Sequence, residues 1–237
     1  MAAPSLAQAL LAPRSVALIG ASADAGKTTA RSPRYLRQHG YGGRVRPINP
    51  GHDEIQGETA YPSLLALPEP ADHAFILVAA EAVPGVVAEC GELGVPCATI
   101  LADGFAEGGR AGIALQEEVL VTAKTCGVRL LGPNSMGIIN VHERIALTVN
   151  AALDTPTLLA GPLGVLSHSG SLLGTLLSRG PARGLGFSPL VSVGTASALR
   201  LCQLGHIVIA HWPTDALLLS LATHPQPPRP PSFAPPP

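Results

Sequence analysis

With 237 residues, the chain is long enough for one large domain or two of roughly 100–150 residues. Charged residues make up 13% of it, about half the usual share, and the formal net charge is −1, so no basic surplus points to nucleic acid and no polybasic run to an anionic membrane. Aromatic residues are only 3%, which leaves little material for base-stacking platforms.

Residues 6–11 read as a short amphipathic lead-in stopped by Pro13. Residues 15–19 form a short apolar run that ends at Gly20, the pattern of a buried strand. A small-residue loop follows, with Ser22, Gly26, Lys27 and Thr28, and then a helix over 28–39 that tolerates Pro33 near its first turn and stops at Gly40 and Gly42-Gly43. Residues 44–49 are the second strand, closed by Pro50-Gly51. A helical turn is expected at 64–67, a strand at 74–78, a helix at 84–93 ended by Gly94, and a strand at 97–102. The glycine-rich loop 103–109 leads to a helix over 113–125, a strand over 128–131 and the turn Gly132-Pro133-Asn134-Ser135.

The strands are apolar throughout and alternate with helices, which predicts a parallel sheet covered on both faces. In such sheets ligands bind beyond the carboxyl ends of the strands, at the switch point of the strand order. The loops that matter are then 20–27, 49–51, 78–83, 103–109 and 132–137.

Residues 138–160 lack strong periodicity and read as a linker. A second α/β unit is expected from Gly161-Pro162: a strand at 163–167, a tight loop at His168-Ser169-Gly170, a helix at 171–179 and a strand at 187–193. Beyond Gly194 the signal weakens to a helix at 201–210 and a strand at 216–221, so residues after about 194 are expected to be poorly ordered or to need a partner. From Pro225 onward proline dominates, and residues 224–237 read as a disordered tail.

The loop after the first strand invites three chemical readings. A P-loop needs four residues between its first glycine and Gly-Lys-Ser/Thr, whereas five separate Gly20 from Gly26. A dinucleotide fingerprint needs G-x-G-x-x-G and an acidic residue after the second strand, whereas Asn49-Pro50 stands there; an NAD-type oxidoreductase is therefore only a minor alternative. Phosphate binding at a helix N-terminus stays open, aided by Lys27 and by Arg31 and Arg34 in the following helix. No G-x-S-x-G surrounds Ser167, Ser169 or Ser171, and Asp103 and Glu107 share a loop that suits ligand contact better than acid–base pairing. The eight histidines show no metal-ligand spacing, so no metal site is expected; seven of them, His73 among them, read as surface or loop residues.

No apolar run reaches the ~18–20 residues of a membrane span, and no basic segment precedes the first apolar residues. Cys90, Cys97, Cys126 and Cys202 form no C-x-x-C pair, which suits a reducing cytoplasm.

Several separated segments then carry a resemblance: VALIGAS…GK, GYGGRVRPINPGHDEIQGETAYPSL, AEAVPGVVAECGELGVPCATILADGFAEGG and RLLGPNSMGIIN. In this order they resemble the CoA-binding domain of NDP-forming acyl-CoA synthetases, relatives of the succinyl-CoA synthetase alpha subunit and of ADP-forming acetate–CoA ligase. The segment GPLGVLSHSGSLLGTLLSRGPARGLGFSPLVSVG is similar to the opening of that family's second domain, and the resemblance spans about 8–194. It implies a Rossmann-like CoA-binding domain at 8–137, followed, after the linker, by an incomplete flavodoxin-like α/β domain at 161–223. It further implies that Gly20, Ala21, Ser22 and Lys27 hold CoA phosphates and that Asn49 and Pro50 border the adenosine end. Val78, Ala79 and Ala80, with Asp103, Gly104 and Phe105, would flank the nucleotide and pantetheine arm, and Pro133, Asn134 and Ser135 would lie near the thiol.

The implied activity joins a small carboxylic acid, CoA and ATP into acyl-CoA, ADP and phosphate, through an acyl phosphate and a phosphohistidine. ATP, ADP and Mg would enter only through an ATP-grasp subunit or domain. His168 stands where the family usually has Gln and is expected to cap the helix or fill that position; the family's phosphohistidine lies beyond this segment, so no catalytic residue is assigned. Nothing in the sequence implies nucleic-acid or membrane partners. A non-catalytic CoA- or acyl-CoA-binding module is the main alternative.

Overall fold

The computed structural model describes residues 4–195, 199 and 201–221. The chain runs α1 (Leu6–Leu11), β1 (Ser15–Ile19), α2 (Arg31–Gln38), β2 (Arg44–Ile48), a small hairpin of β3 (Glu54–Ile55) and β4 (Glu58–Thr59), β5 (His73–Ile76), α3 (Val83–Leu93), β6 (Cys97–Ile100), α4 (Arg110–Cys126) and β7 (Arg129–Leu131). It continues through β8 (Gly137–Asn140), β9 (Ile145–Thr148), β10 (Ala160–Ser167), α5 (Gly170–Arg179), β11 (Phe187–Ser192), α6 (Leu201–His211) and β12 (Ala216–Ser220). No helix among the described residues is long and apolar enough to cross a membrane.

The first sheet has the order β2-β1-β5-β6-β7 and is parallel throughout. Every residue of β1, β5 and β6 is buried, which explains why apolar residues dominate them without alternation. On one face Ala17, Ile19, Ala74, Ile76, Ala98 and Ile100 share a core with Val83, Val87 and Cys90 of α3 and with Val119 and Ala123 of α4. The chain passes from β1 outward to β2, then returns across β1 to β5, so the switch point lies between β1 and β5.

The other face is closed differently. Val16, Leu18 and Phe75 pack against Leu36 of α2 and against Ile145, Leu147 and Val149 at β9. This corrects the expectation of a linker at 138–160: β8 and β9 form an antiparallel hairpin that lines the first sheet and belongs to the second. Each strand is four residues long and buried on both faces, so neither alternates in polarity, and the intervening 141–144 turn, Val-His-Glu-Arg, has no glycine, proline or asparagine to announce it.

The second sheet has the order β12-β10-β11-β8-β9. Strands β10, β11 and β12 are parallel, and β8 joins β11 antiparallel. The helix expected at 201–210 and the strand expected at 216–221 are present as α6 and β12. Leu204, Ile207 and Val208 bury against Leu166 and Val191, and β12 pairs along its length with β10. Leu218, Leu219 and Leu221 nonetheless stay exposed at this edge of the sheet. The tail expected at 224–237 lies outside the described residues.

Helix α1 joins the two sheets. Ala9, Leu10 and Leu11 are fully buried in a cluster with Cys97 and Leu131 of the first sheet and Ile138, Leu166 and Val191 of the second. Carbonyl groups near the end of a helix lack helical partners. Here the Ala9 carbonyl meets His73 Nδ1 at 2.9 Å, and Asn140 Nδ2 donates to the Leu11 carbonyl at 2.8 Å. His73 is therefore not a surface residue: it is wholly buried, its Nε2 lies 2.8 Å from Thr99 Oγ1, and burial pushes its pKa down to about 4.

Candidate functional site

All five loops singled out in the sequence leave the carboxyl ends of the first sheet's strands. β1 delivers Gly20 with φ +86°, a backbone region that side chains avoid. A Cβ there would stand 2.9 Å from Val78 Cγ1 and 3.3 Å from the Leu77 carbonyl carbon. Glycine is thus what lets the loop after β1 lie against the loop after β5, at the switch point.

Beyond Gly20 the chain turns on itself. The Asp24 amide donates to Ser22 Oγ at 3.1 Å, the Gly26 amide to Asp24 Oδ1 at 2.9 Å, and the Lys27 amide to the Asp24 carbonyl at 3.0 Å. Residues 23–28 are exposed as a result, just ahead of α2. Lys27 makes no ion pair among the described residues. Arg31 and Arg34 do not join it: Arg31 Nη1 donates to the Val149 carbonyl, and Arg34 pairs with Asp154 at 2.7 Å.

Asn49 ties the loop after β2 to the loop after β1. Its Nδ2 donates to the Ala21 carbonyl at 2.9 Å, and its Oδ1 accepts from the Gly51 amide at 2.9 Å. An acidic residue could make only the second of these bonds. On the far side, Gly104 has φ +89° and donates its amide to Glu107 Oε1 at 3.0 Å. Phe105 turns fully inward, and a Cβ on Gly112 of α4 would collide with its carbonyl. Asn134 has φ +57°, and its amide donates to the Ala102 carbonyl at 2.9 Å.

The structure therefore brings Gly20, Ala21, Ser22, Asn49 and Val78 together around the switch point, with Lys27, Pro50 and Ala79 exposed beside them. Asp103, Gly104 and Asn134 are exposed at the ends of β6 and β7. Ala21, Ala80, Phe105, Pro133 and Ser135 are buried and can offer a ligand little besides main chain. Ser135 departs most from expectation: fully buried, it donates its hydroxyl to the Ser192 carbonyl and accepts from the Gly137 amide at 3.1 Å. No local pattern points to Ser192, whose carbonyl accepts from Ser135, or to Thr148 and Asn150, which bond the adjoining Met136 and Gly170 carbonyls.

In the second sheet, the loop after β10 holds His168, whose amide donates to the Ser220 carbonyl at 3.0 Å. The cap of α5 is Ser169, accepting from the Leu172 amide at 3.3 Å, rather than His168. Among the described residues no three His, Cys, Asp or Glu side chains cluster as a metal site. Burial pushes the Cys90 and Cys97 thiols up to about 12, which removes both as thiolate nucleophiles.

The chemistry on offer is recognition: a glycine cradle, an uncommitted ammonium ahead of a helix, and carboxylates on the opposite rim. The cradle suits a phosphate-bearing ligand, because the main chain approaches closely at Gly20 and positive charge stands beside it.

Comparison with known proteins bears on this cleft. A family model described as "CoA binding domain" matches residues 14–141. The chain is 38% identical over 191 residues to the acetate–CoA ligase [ADP-forming] I subunit alpha of Pyrococcus furiosus, covering 79% of this chain and 40% of that protein. It is 36% identical over 189 residues to the acetate–CoA ligase [ADP-forming] II of Archaeoglobus fulgidus, covering 78% of this chain and 27% of that one. The solved apo structure of a dinucleotide forming acetyl-coenzyme A synthetase 1 from Ca. Korarchaeum cryptofilum superposes with a TM-score of 0.85 at 31% identity, covering 94% of this chain and 47% of that chain. The chain thus spans less than half the length of each of these relatives.

Proposed function

The chain belongs to the CoA binding domain family, and from that premise we propose that it binds coenzyme A across the carboxyl ends of β1, β2, β5, β6 and β7 as the alpha-type portion of an ADP-forming acid–CoA ligase. The observation that carries this reading is the packing of Gly20 against Val78 at the switch point, within a matched region that contains all five loops. Lys27 and the turn around Ser22 and Asp24 receive the CoA phosphates. Asn49 and Pro50 border the adenosine, where an NAD site would place a carboxylate. Asp103, Gly104 and Asn134 line the path of the pantetheine arm toward the second sheet.

The relatives are ADP-forming acid–CoA ligases, and we extend their overall reaction to the assembly this chain serves: carboxylic acid, CoA and ATP give acyl-CoA, ADP and phosphate. ATP and Mg enter through an ATP-grasp subunit or domain. The residues of this chain bind and orient CoA; no nucleophile–base pair stands in the cleft among the described residues. Four unpaired cysteines suit a reducing compartment, and we place the protein in the cytoplasm.

Titration calorimetry with CoA, NAD and ATP, each alone, tests the reading. Saturable binding of CoA without binding of NAD is expected; NAD binding in place of CoA overturns it. An ATP-dependent thioester assay with and without an ATP-grasp partner then separates a ligase portion, active only with the partner, from a non-catalytic CoA-binding module.

A further inference from the structure

Four buried polar side chains connect the two sheets where the carboxyl ends of β7 and β11 meet. Ser135 and Thr148 are 0% and 1% exposed, Ser192 is 0% and Asn150 is 7%. Ser135 Oγ donates to the Ser192 carbonyl, and the Met136 amide donates to Ser192 Oγ at 3.0 Å. Thr148 Oγ1 donates to the Met136 carbonyl at 2.6 Å and accepts from the Asn150 amide at 3.1 Å. Asn150 Nδ2 then donates to the Gly170 carbonyl at 2.9 Å, in the first turn of α5. The path runs unbroken from the turn that displays Asn134 to the loop that follows β10.

Close packing reinforces this path. Gly194 has φ +60°, and a Cβ there would collide with the Pro133 carbonyl and stand 2.9 Å from the Asn134 carbonyl carbon. The Thr195 amide donates to the Pro133 carbonyl at 2.9 Å. A Cβ on Gly170 would collide with Met136, and one on Gly174 would stand 2.7 Å from Asn150 Oδ1. Neither loop can shift without disturbing buried donors on the other side, and unmet buried donors are costly.

We propose that Ser135, Ser192, Thr148 and Asn150 are positioning residues that hold the 132–135 turn of the first sheet and the 167–170 loop of the second in one fixed relation, so that a ligand ordering the first loop also orders the second. This rests on the reading that CoA binds the first sheet's loops. It reassigns Ser135 from ligand contact to positioning through Asn134. Hydrogen-bonded chains of this kind are a physical route for coupling two sites.

The test is amide hydrogen exchange on the chain with CoA added as the probe, compared between wild type and Thr148→Val. The substitution keeps the side chain's shape and removes its donor and acceptor. In the wild type, CoA is expected to slow exchange at 168–172 about tenfold, although these residues lie outside the CoA cleft. In Thr148→Val, CoA still slows exchange at 20–28 but leaves 168–172 within about twofold of the free rate. Thr148→Ser, which retains the hydroxyl, restores the slowing. Val87→Ala, which opens the distant α3 core, lowers stability yet keeps it, as a merely structural role for Thr148 would not predict. Ser192→Ala serves in the same way if Thr148→Val does not fold. Slowing at 168–172 that persists in these hydroxyl-free variants, or that is absent from a wild type protected at 20–28, overturns the proposal. Absence of CoA protection at 20–28 in the wild type overturns the CoA reading, and this inference with it.

Discussion

Acidification should weaken this fold through one residue, His73. Its ring is wholly buried between α1 and β6, with Nδ1 2.9 Å from the Ala9 carbonyl and Nε2 2.8 Å from Thr99 Oγ1. Burial pushes its pKa down to about 4, against the attraction of Asp72 and the Ala9 carbonyl. An unfolded imidazole takes up its proton near pH 6.5, so between about 6.5 and about 4 the unfolded chain holds a proton that the folded chain does not. The contribution is therefore intact above about pH 6.5 and is lost as the pH falls. Integrated over that window, linkage gives about 3 kcal/mol; between roughly pH 7.5 and pH 5 it gives about 2 kcal/mol. Urea unfolding at a series of pH values, for wild type and for His73→Gln, isolates the effect because the other titrating groups are common to both. The difference in stability between the two proteins should shrink by about 2 kcal/mol on going from roughly pH 7.5 to pH 5. A constant difference across that range would refute the assignment of His73 as a neutral clamp on α1.

Three further outcomes follow from the cleft. Gly20→Ala forces a side chain into φ +86° and against Val78; it should cost about 1–3 kcal/mol in thermal or urea unfolding and weaken CoA binding in calorimetry, whereas Gly85→Ala, with open space around it, should do neither. Lys27→Ala should lower CoA affinity roughly fivefold, with the gap to wild type closing as salt is added. Asn49→Asp loses the donor to the Ala21 carbonyl and should destabilise the protein by about 1–3 kcal/mol while conferring no NAD affinity.

The parts of the fold that could be read from sequence were those whose local and global signals agree. β1, β5 and β6 are mostly apolar runs bounded by glycine, proline or polar turns, and each is buried along its whole length. The five strand-end loops followed from the same argument. The β8–β9 hairpin escaped it because two four-residue strands buried on both faces carry no period, and the turn between them has none of the usual turn residues. His73 escaped because burial of a lone histidine depends on partners 26 and 64 residues away. Ser135 was correctly placed at the end of β7, yet its direction was set by Ser192, 57 residues on, which no local pattern reports. The helix after Gly194 gains its burial against Leu166 of β10 and Val191 of β11, a contact likewise visible only once the second sheet is assembled.

The central proposal is that the five strand-end loops of the first sheet form a single coenzyme A site. A hydrogen-exchange footprint of CoA over the whole chain tests it most directly. Protection is predicted at 20–28, 49–53, 78–82, 103–107 and 132–135, with the exposed edge at β12 unchanged. CoA binding that leaves both 20–28 and 78–82 unprotected would contradict it.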